Sequence, residues 1–171
     1  RAARGSRTPV GPGESRGDLT TARPLRPVGS GRPRLVGSGR GSVVLIRADD
    51  VAIEGFDIDG RGGGSLMRDS SGVHVAGRRA RLGDLRIEGA LFGVYLREAD
   101  GAEVLRCRVR GIPGKTPGEK GSGIHLWNTR GFRLVGNDIA GVRDGLYVQS
   151  SPDGLITGNV ARDLRYGGEI I

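Results

Sequence analysis

The chain has 171 residues, enough for one domain, with 33 Gly and only 4% aromatic residues. That is poor material for helices, because each interior glycine costs roughly 1 kcal/mol relative to alanine; no run of ~18 apolar residues offers a membrane span, and the single cysteine, Cys107, excludes an intrachain disulfide and a Cys-based zinc site. The net charge of +8 sits mostly in the first 40 residues, which hold nine Arg and two acids, and because this basic stretch has no aromatics and is rich in Gly, Pro and Ser, no nucleic-acid partner is expected.

Residues 1–22 show no hydrophobic period and are predicted to form a disordered Arg/Gly/Pro-rich leader. They contain no apolar h-region of a signal peptide, and a mature or truncated secreted protein would look the same. Residues 23–171 are assigned to one domain. Leu25–Val28 and Arg34–Val36, punctuated by Gly-Ser-Gly, read as a partial first turn of a repeat, and from Val43 the pattern is regular. Gly72-Val-His-Val, Gly93-Val-Tyr-Leu, Gly123-Ile-His-Leu, Gly145-Leu-Tyr-Val and Gly167 recur at steps of 21, 30, 22 and 22 residues. Such a period marks a repeat architecture.

The rungs align in apolar files. Val44/Ile46, Val73/Val75, Val94/Leu96, Ile124/Leu126 and Leu146/Val148 form one pair per rung. Val51/Ile53, Ala80/Leu82, Ala102/Val104, Phe132/Leu134 and Gly154/Ile156 form a second, and Ile58, Ile87, Val109, Ile139 and Ala161 form a single third position. A spacing of two within each strand puts these side chains on one face. Three short strands per ~22 residues predict an all-β, right-handed, single-stranded parallel β-helix of five to six rungs, whose stacking makes one continuous core. A leucine-rich repeat would need a helical return path that is absent, and an antiparallel barrel would need hairpin turns every 8–12 residues. Gly60, Gly89, Gly111 and Gly141 share one corner column, with Asp163 as the exception; Asn137 and Asn159 share another and are expected to form an Asn ladder. Cys107 lies in the inward column that precedes them and reads as a small buried hydrophobe. Outward charges face one another across rungs, as Asp57 with Arg86, Arg108 with Asp138, Glu88 with Arg110, and Glu103 between Arg81 and Arg133.

Two insertions, Arg61–Ser70 and Ile112–Ser122, break the period. Both leave at the same corner, and both lead into a strand whose outward residue is histidine. The outward file reads Leu45, His74, Tyr95, His125, Tyr147; the next reads Arg47, Ala76, Arg97, Trp127, Gln149. Rare residue types gathered under two loops suggest a surface for a partner or ligand made of His74, Tyr95, Arg97, His125, Trp127 and Tyr147. The competing reading is an exposed stacking ladder that only supports strand pairing. For a metal, His74 and His125 are two rungs or roughly 9.6 Å apart, with Tyr95 between; Met67 with His74 is a conceivable soft site for Cu(I). A glycosidase needs two carboxyl groups across a groove. Asp49, Asp50, Asp57 and Asp59 are the dense acidic cluster, and no acid is expected in the His/Tyr/Trp files.

Gly121-Ser-Gly-Ile-His-Leu-Trp-Asn128, Gly136-Asn-Asp-Ile-Ala-Gly-Val-Arg-Asp-Gly-Leu-Tyr147, Arg162-Asp-Leu-Arg-Tyr-Gly167 and Leu91-Phe-Gly-Val-Tyr-Leu96 resemble the NosD family across about residues 43–167. The resemblance implies a non-enzymatic periplasmic accessory of nitrous oxide reductase that docks on an ABC transporter permease/ATPase pair. Such a protein meets a copper chaperone and the reductase, and helps to supply the reductase's copper centre. It implies no tightly bound cofactor, only transient copper, and no catalytic residues. A carbohydrate-binding or polysaccharide-cleaving β-helix is the alternative. The sequence departs from the family in lacking a signal peptide, in its first 22 residues, and in stopping at Ile171 just inside a sixth rung. The expectation is therefore a fragment that gains stability when extended.

Overall fold

The computed structural model describes residues 6–170. The leader assignment for residues 1–5 and the break at Ile171 lie outside the described residues. Three sheets of seven parallel strands each run the length of the described chain. One rung consists of Arg81–Gly83, Arg86–Glu88 and Phe92–Arg97, one strand for each sheet. Each strand pairs with its counterpart in the rungs below and above, as Val94 does with Val73 and Ile124. Parallel strands joined by crossovers of this kind coil right-handed, and the architecture is the expected parallel β-helix.

The predicted register holds. Ile53, Leu82, Val104, Leu134 and Ile156 stand in one file of the first sheet. Ile58, Ile87, Val109, Ile139 and Ala161 stand in one file of the second. Val44, Val73, Val94, Ile124 and Leu146 do so in the third. These files close into one core in which Ile46, Ile53, Ile58, Leu82, Ile87, Leu96, Ile124, Leu126, Leu134 and Ile139 are fully buried. Each such side chain stabilises by about 1.5–3 kcal/mol through removal from water.

The rung count differs from the expectation. The described residues form seven rungs, because Arg7–Val10, Glu14–Arg16 and Leu19–Thr21 form strands inside the stretch expected to be a disordered leader. They pair with Arg26–Gly29, Arg34–Val36 and Val44–Ile46. Glu14–Arg16 is exposed throughout, and of these strand residues only Thr21 is buried. Pairing with the next rung's backbone makes this rung, with no apolar alternation to announce it.

The recurring glycine has a steric cause. A Cβ at Gly72 would run into Ile87, one at Gly93 into Val109, and one at Gly123 into Ile139, each also meeting the next glycine's carbonyl. The column is therefore a close backbone approach against the second sheet's inward file. At the corner, Gly89, Gly141 and Asp163 are left-handed (φ 65°, 69° and 56°), whereas Gly60 and Gly111, where the insertions leave, are not. Asp tolerates this conformation better than most residues, which accounts for the exception at 163.

The Asn ladder is present. The Asn137 Oδ1 accepts from the Cys107 amide at 2.9 Å, and its Nδ2 donates to the Val104 carbonyl at 2.9 Å and the Asn159 Oδ1 at 2.8 Å. Cys107 is buried, and burial pushes its thiol up to about 12, so it acts as a small hydrophobe. The outward charges stand opposite as expected, but several ion pairs form with other rungs' residues. Asp57 takes Arg32 at 2.8 Å, Glu88 takes Arg34 at 3.1 Å, and Asp138 gathers Arg108, Arg110 and Arg162.

Candidate functional site

Period-two alternation sends the residue between two core positions outward, so the third sheet carries Leu45, His74, Tyr95, His125 and Tyr147 up its outer side in register. The rings stack. His74 and Tyr95 centroids are 5.1 Å apart and tilted by 32°, Tyr95 and His125 are 4.5 Å apart at 8°, and His125 and Tyr147 are 4.6 Å apart at 19°. In the next file Arg97 stands opposite Trp127, its guanidinium 5.1 Å from the ring centroid, a favourable cation–π placement.

Both insertions flank this ladder, each bearing a short 3₁₀ turn, Leu66–Arg68 and Pro117–Glu119. The second is fixed by a capping box in which Glu119 accepts from the Thr116 amide at 2.9 Å and hydroxyl at 2.7 Å. The loops do more than overhang. Leu91, Phe92, Tyr95 and Ile112 form a second buried cluster, with Leu66 packed on it. Tyr95 is therefore only 8% exposed and is a prop beneath the surface, whereas His74, His125, Trp127 and Tyr147 are half-buried and Arg97 is exposed. The face expected from the sequence is assembled, but its central tyrosine is covered.

Sequence reasoning missed Phe92, whose ring stands edge-on to both Tyr95 and His125 at 5.4 Å. Its signal was an aromatic one position before the repeat glycine, where the neighbouring rungs have Ser71 and Ser122, followed by Asp144 and then Tyr166. It missed a buried polar chain too. Arg143 Nε donates to the Asp144 Oδ2 at 2.8 Å, Ser122 Oγ donates to the same oxygen at 3.1 Å, and Ser122 Oγ lies 3.5 Å from His125 Nδ1. Contrary to the expectation that no acid lies in these files, Glu169 follows Tyr147 in register, and Asp144, 1% exposed, reaches His125 through Ser122. Burial drives the His125 pKa down to about 4 against the opposing pull of Asp69 and Asp144, and burial lowers His74 as well. Both imidazoles are neutral near pH 7.

A family model described as periplasmic copper-binding protein (NosD) matches residues 108–170. The chain is 31% identical over 135 residues to the probable ABC transporter binding protein NosD of Stutzerimonas stutzeri, covering 78% of this chain and 31% of that protein. It is 32% identical over 136 residues to the protein of the same name from Pseudomonas aeruginosa, again covering 78% of this chain and 31% of that protein. The chain belongs to the NosD family. This NosD-family chain spans about a third, 31%, of the length of the curated relatives it matches.

The ladder residues fit a shared copper ion poorly. A soft-metal site needs several ligands converging on one point, and the Tyr95 ring lies between the rings of His74 and His125. Met67 is 94% exposed on its loop. Among the described residues no group of three or more His, Cys, Asp and Glu could hold a metal. The acidic cluster of this NosD-family chain is committed to ion pairs: Asp50 and Asp49 to Arg79 at 2.8 and 3.3 Å, Asp57 to Arg32, and Asp59 to Arg34 at 2.8 Å. The Arg79 hydrogen bond holds the Asp50 carboxyl below its ordinary range, and at Asp59 the Arg34 and Arg61 hydrogen bonds outweigh burial with the same result. A glycosidase's general acid needs the opposite shift.

Proposed function

We propose that this segment belongs to a non-enzymatic periplasmic scaffold that works with an ABC transporter and a copper chaperone to deliver copper to nitrous oxide reductase. Family membership supports the reading, as do the family's description as a periplasmic copper-binding protein and the transporter-binding names of its relatives. Copper is cargo here. The ladder contributes a docking face for the reductase, made of His74, Arg97, His125, Trp127 and Tyr147 with Tyr95 as buried support. The observation that carries this placement is the in-register stack of rings beside Arg97 and Trp127, on one wall flanked by both insertions. Aromatic residues and Arg are enriched where protein surfaces meet, and a rigid preformed stack loses little entropy on docking.

Site-specific photocrosslinking in the full-length protein tests the face. A photoreactive residue at Trp127 or Tyr147 is expected to capture the reductase, and one at Arg86 or Arg108 on the second sheet is not. Capture from the second sheet alone would remove the third sheet from the docking role.

A further inference from the structure

The first two sheets balance their outward charge from rung to rung. Glu103 lies between Arg81 at 2.6 Å and Arg133 at 3.6 Å, and Asp138 neutralises three arginines. The foot of the third sheet does not follow this rule. There an open cleft of about 570 Å³ is lined by Arg47, Arg68, Arg97, His74, Thr20 and Asp18, among others. Among the described residues, none of the three arginines has a carboxylate within ion-pair distance. Asp18 is turned to Ser38, accepting from its amide at 2.8 Å and its hydroxyl at 2.6 Å.

The shape suits an anionic guest. Arg47, Ala76 and Arg97 occupy successive rungs of the outward file beside the ladder, and Ala76 also lines the cleft. The small methyl leaves a notch between two exposed guanidiniums about two rung spacings apart, roughly 9.6 Å. Arg68 approaches from the first insertion. Asp18 lines the cleft and Asp69 acts on His74, so the three guanidiniums outnumber the carboxylates around them, and an incoming set of carboxylates relieves the remaining repulsion.

We propose that this cleft docks a carboxylate-rich segment of a protein partner, with Arg47 and Arg97 engaging acidic side chains on either side of Ala76 and Arg68 closing over them. The inference rests on the docking reading above and adds the partner's chemistry. An acidic polypeptide fits better than a small ligand. Small-molecule sites bury most of their guest among preset polar groups, whereas these three guanidiniums are solvent-exposed on an open wall. Exposed arginines beside a tryptophan and stacked tyrosines are what a protein interface uses for steering and anchoring.

The test is a fluorescence-anisotropy titration of the 171-residue chain with a labelled octaglutamate peptide. The Arg47→Gln/Arg68→Gln/Arg97→Gln variant is expected to bind about tenfold more weakly or worse, three partly exposed ion pairs being lost. The Arg47→Gln/Arg68→Gln double variant, which leaves the Arg97–Trp127 contact intact, is expected to lose part of that. An Arg78→Gln/Arg86→Gln control, with exposed arginines elsewhere, is expected to bind like wild type. The His74 imidazole should titrate at higher pH when the peptide is bound, because nearby anions favour its protonated form. Wild-type binding by the triple variant, or equal loss in the control, would overturn the proposal by reducing it to general attraction. Oligogalacturonate binding more tightly through the same arginines would overturn it in favour of an acidic sugar; weaker binding supports it. The docking reading is read separately by crosslinking from Trp127 and Tyr147, so either can fail alone.

Discussion

His125 is held as a neutral imidazole between Tyr95 and Tyr147, with Phe92 against its edge. Protonating it places a charge in a mostly desolvated stack, which is why its pKa falls from 6.5 to about 4. The unfolded chain binds a proton at His125 in that interval and the folded chain does not, so stability rises with pH there. The wild-type urea midpoint is expected to fall as pH drops from 6.5 towards 4. His125→Phe, which keeps a ring in the stack, should flatten the curve and leave the smaller share owed to His74. The shifted aspartates, Asp50, Asp59, Asp84 and Asp138, contribute below their ordinary value of 3.8, outside this window. Glu119, held below its ordinary 4.5 by the Thr116 hydrogen bonds, enters only at the acid end and equally in wild type and variant. Parallel curves for wild type and variant would show that the histidine is not buried as described. The alternation in the sequence revealed that His125 points outward and neighbours both tyrosines. It could not reveal the burial, in which Phe92 stands against the edge of His125 while Ile112 and Leu66 from the two loops join Phe92 over the neighbouring Tyr95.

Among the elements, the glycine file sets how closely the third sheet approaches the second. Gly123→Ala would force a methyl group against Ile139 and the Gly145 carbonyl. Overpacking of this kind costs about 1–3 kcal/mol. The thermal midpoint of Gly123→Ala is expected to fall by several degrees, while Gly118→Ala, with nothing within 4 Å of the added carbon, should melt with wild type. Equal melting of the two variants would mean that the column is not close-packed. The inner rungs were legible because their strands combine apolar alternation with a fixed return. The first rung lacks both, and its short, mostly polar strands, Arg7–Val10, Glu14–Arg16 and Leu19–Thr21, are recognisable only once the next rung offers backbone partners. At the other end Leu155, Ile156 and Val160 are 46%, 38% and 55% exposed. Ile156 there continues the core file of Leu134, whereas Leu155 and Val160 stand at outward positions opposite Arg133 and Asp138.

For the whole molecule, seven stacked rungs make a rigid rod with three walls of different character. Two walls are tied by cross-rung ion pairs, and the third bears the ring ladder, the two loops and the uncompensated arginines. That asymmetry gives a scaffold one side on which to meet a partner. The register of the third wall was readable from the sequence, because a repeat places equivalent positions above one another. Its charge imbalance was not, because Arg68 joins Arg47 and Arg97 only through the path of the first insertion. The most direct measurement of the central claim is copper loading of nitrous oxide reductase in cells carrying the full-length protein with Trp127→Ala and Tyr147→Ala, both positions on the outer wall and away from the core. The docking account predicts that the altered protein accumulates at the wild-type level while the reductase's copper content falls severalfold; undiminished copper in the reductase at equal protein level would contradict it.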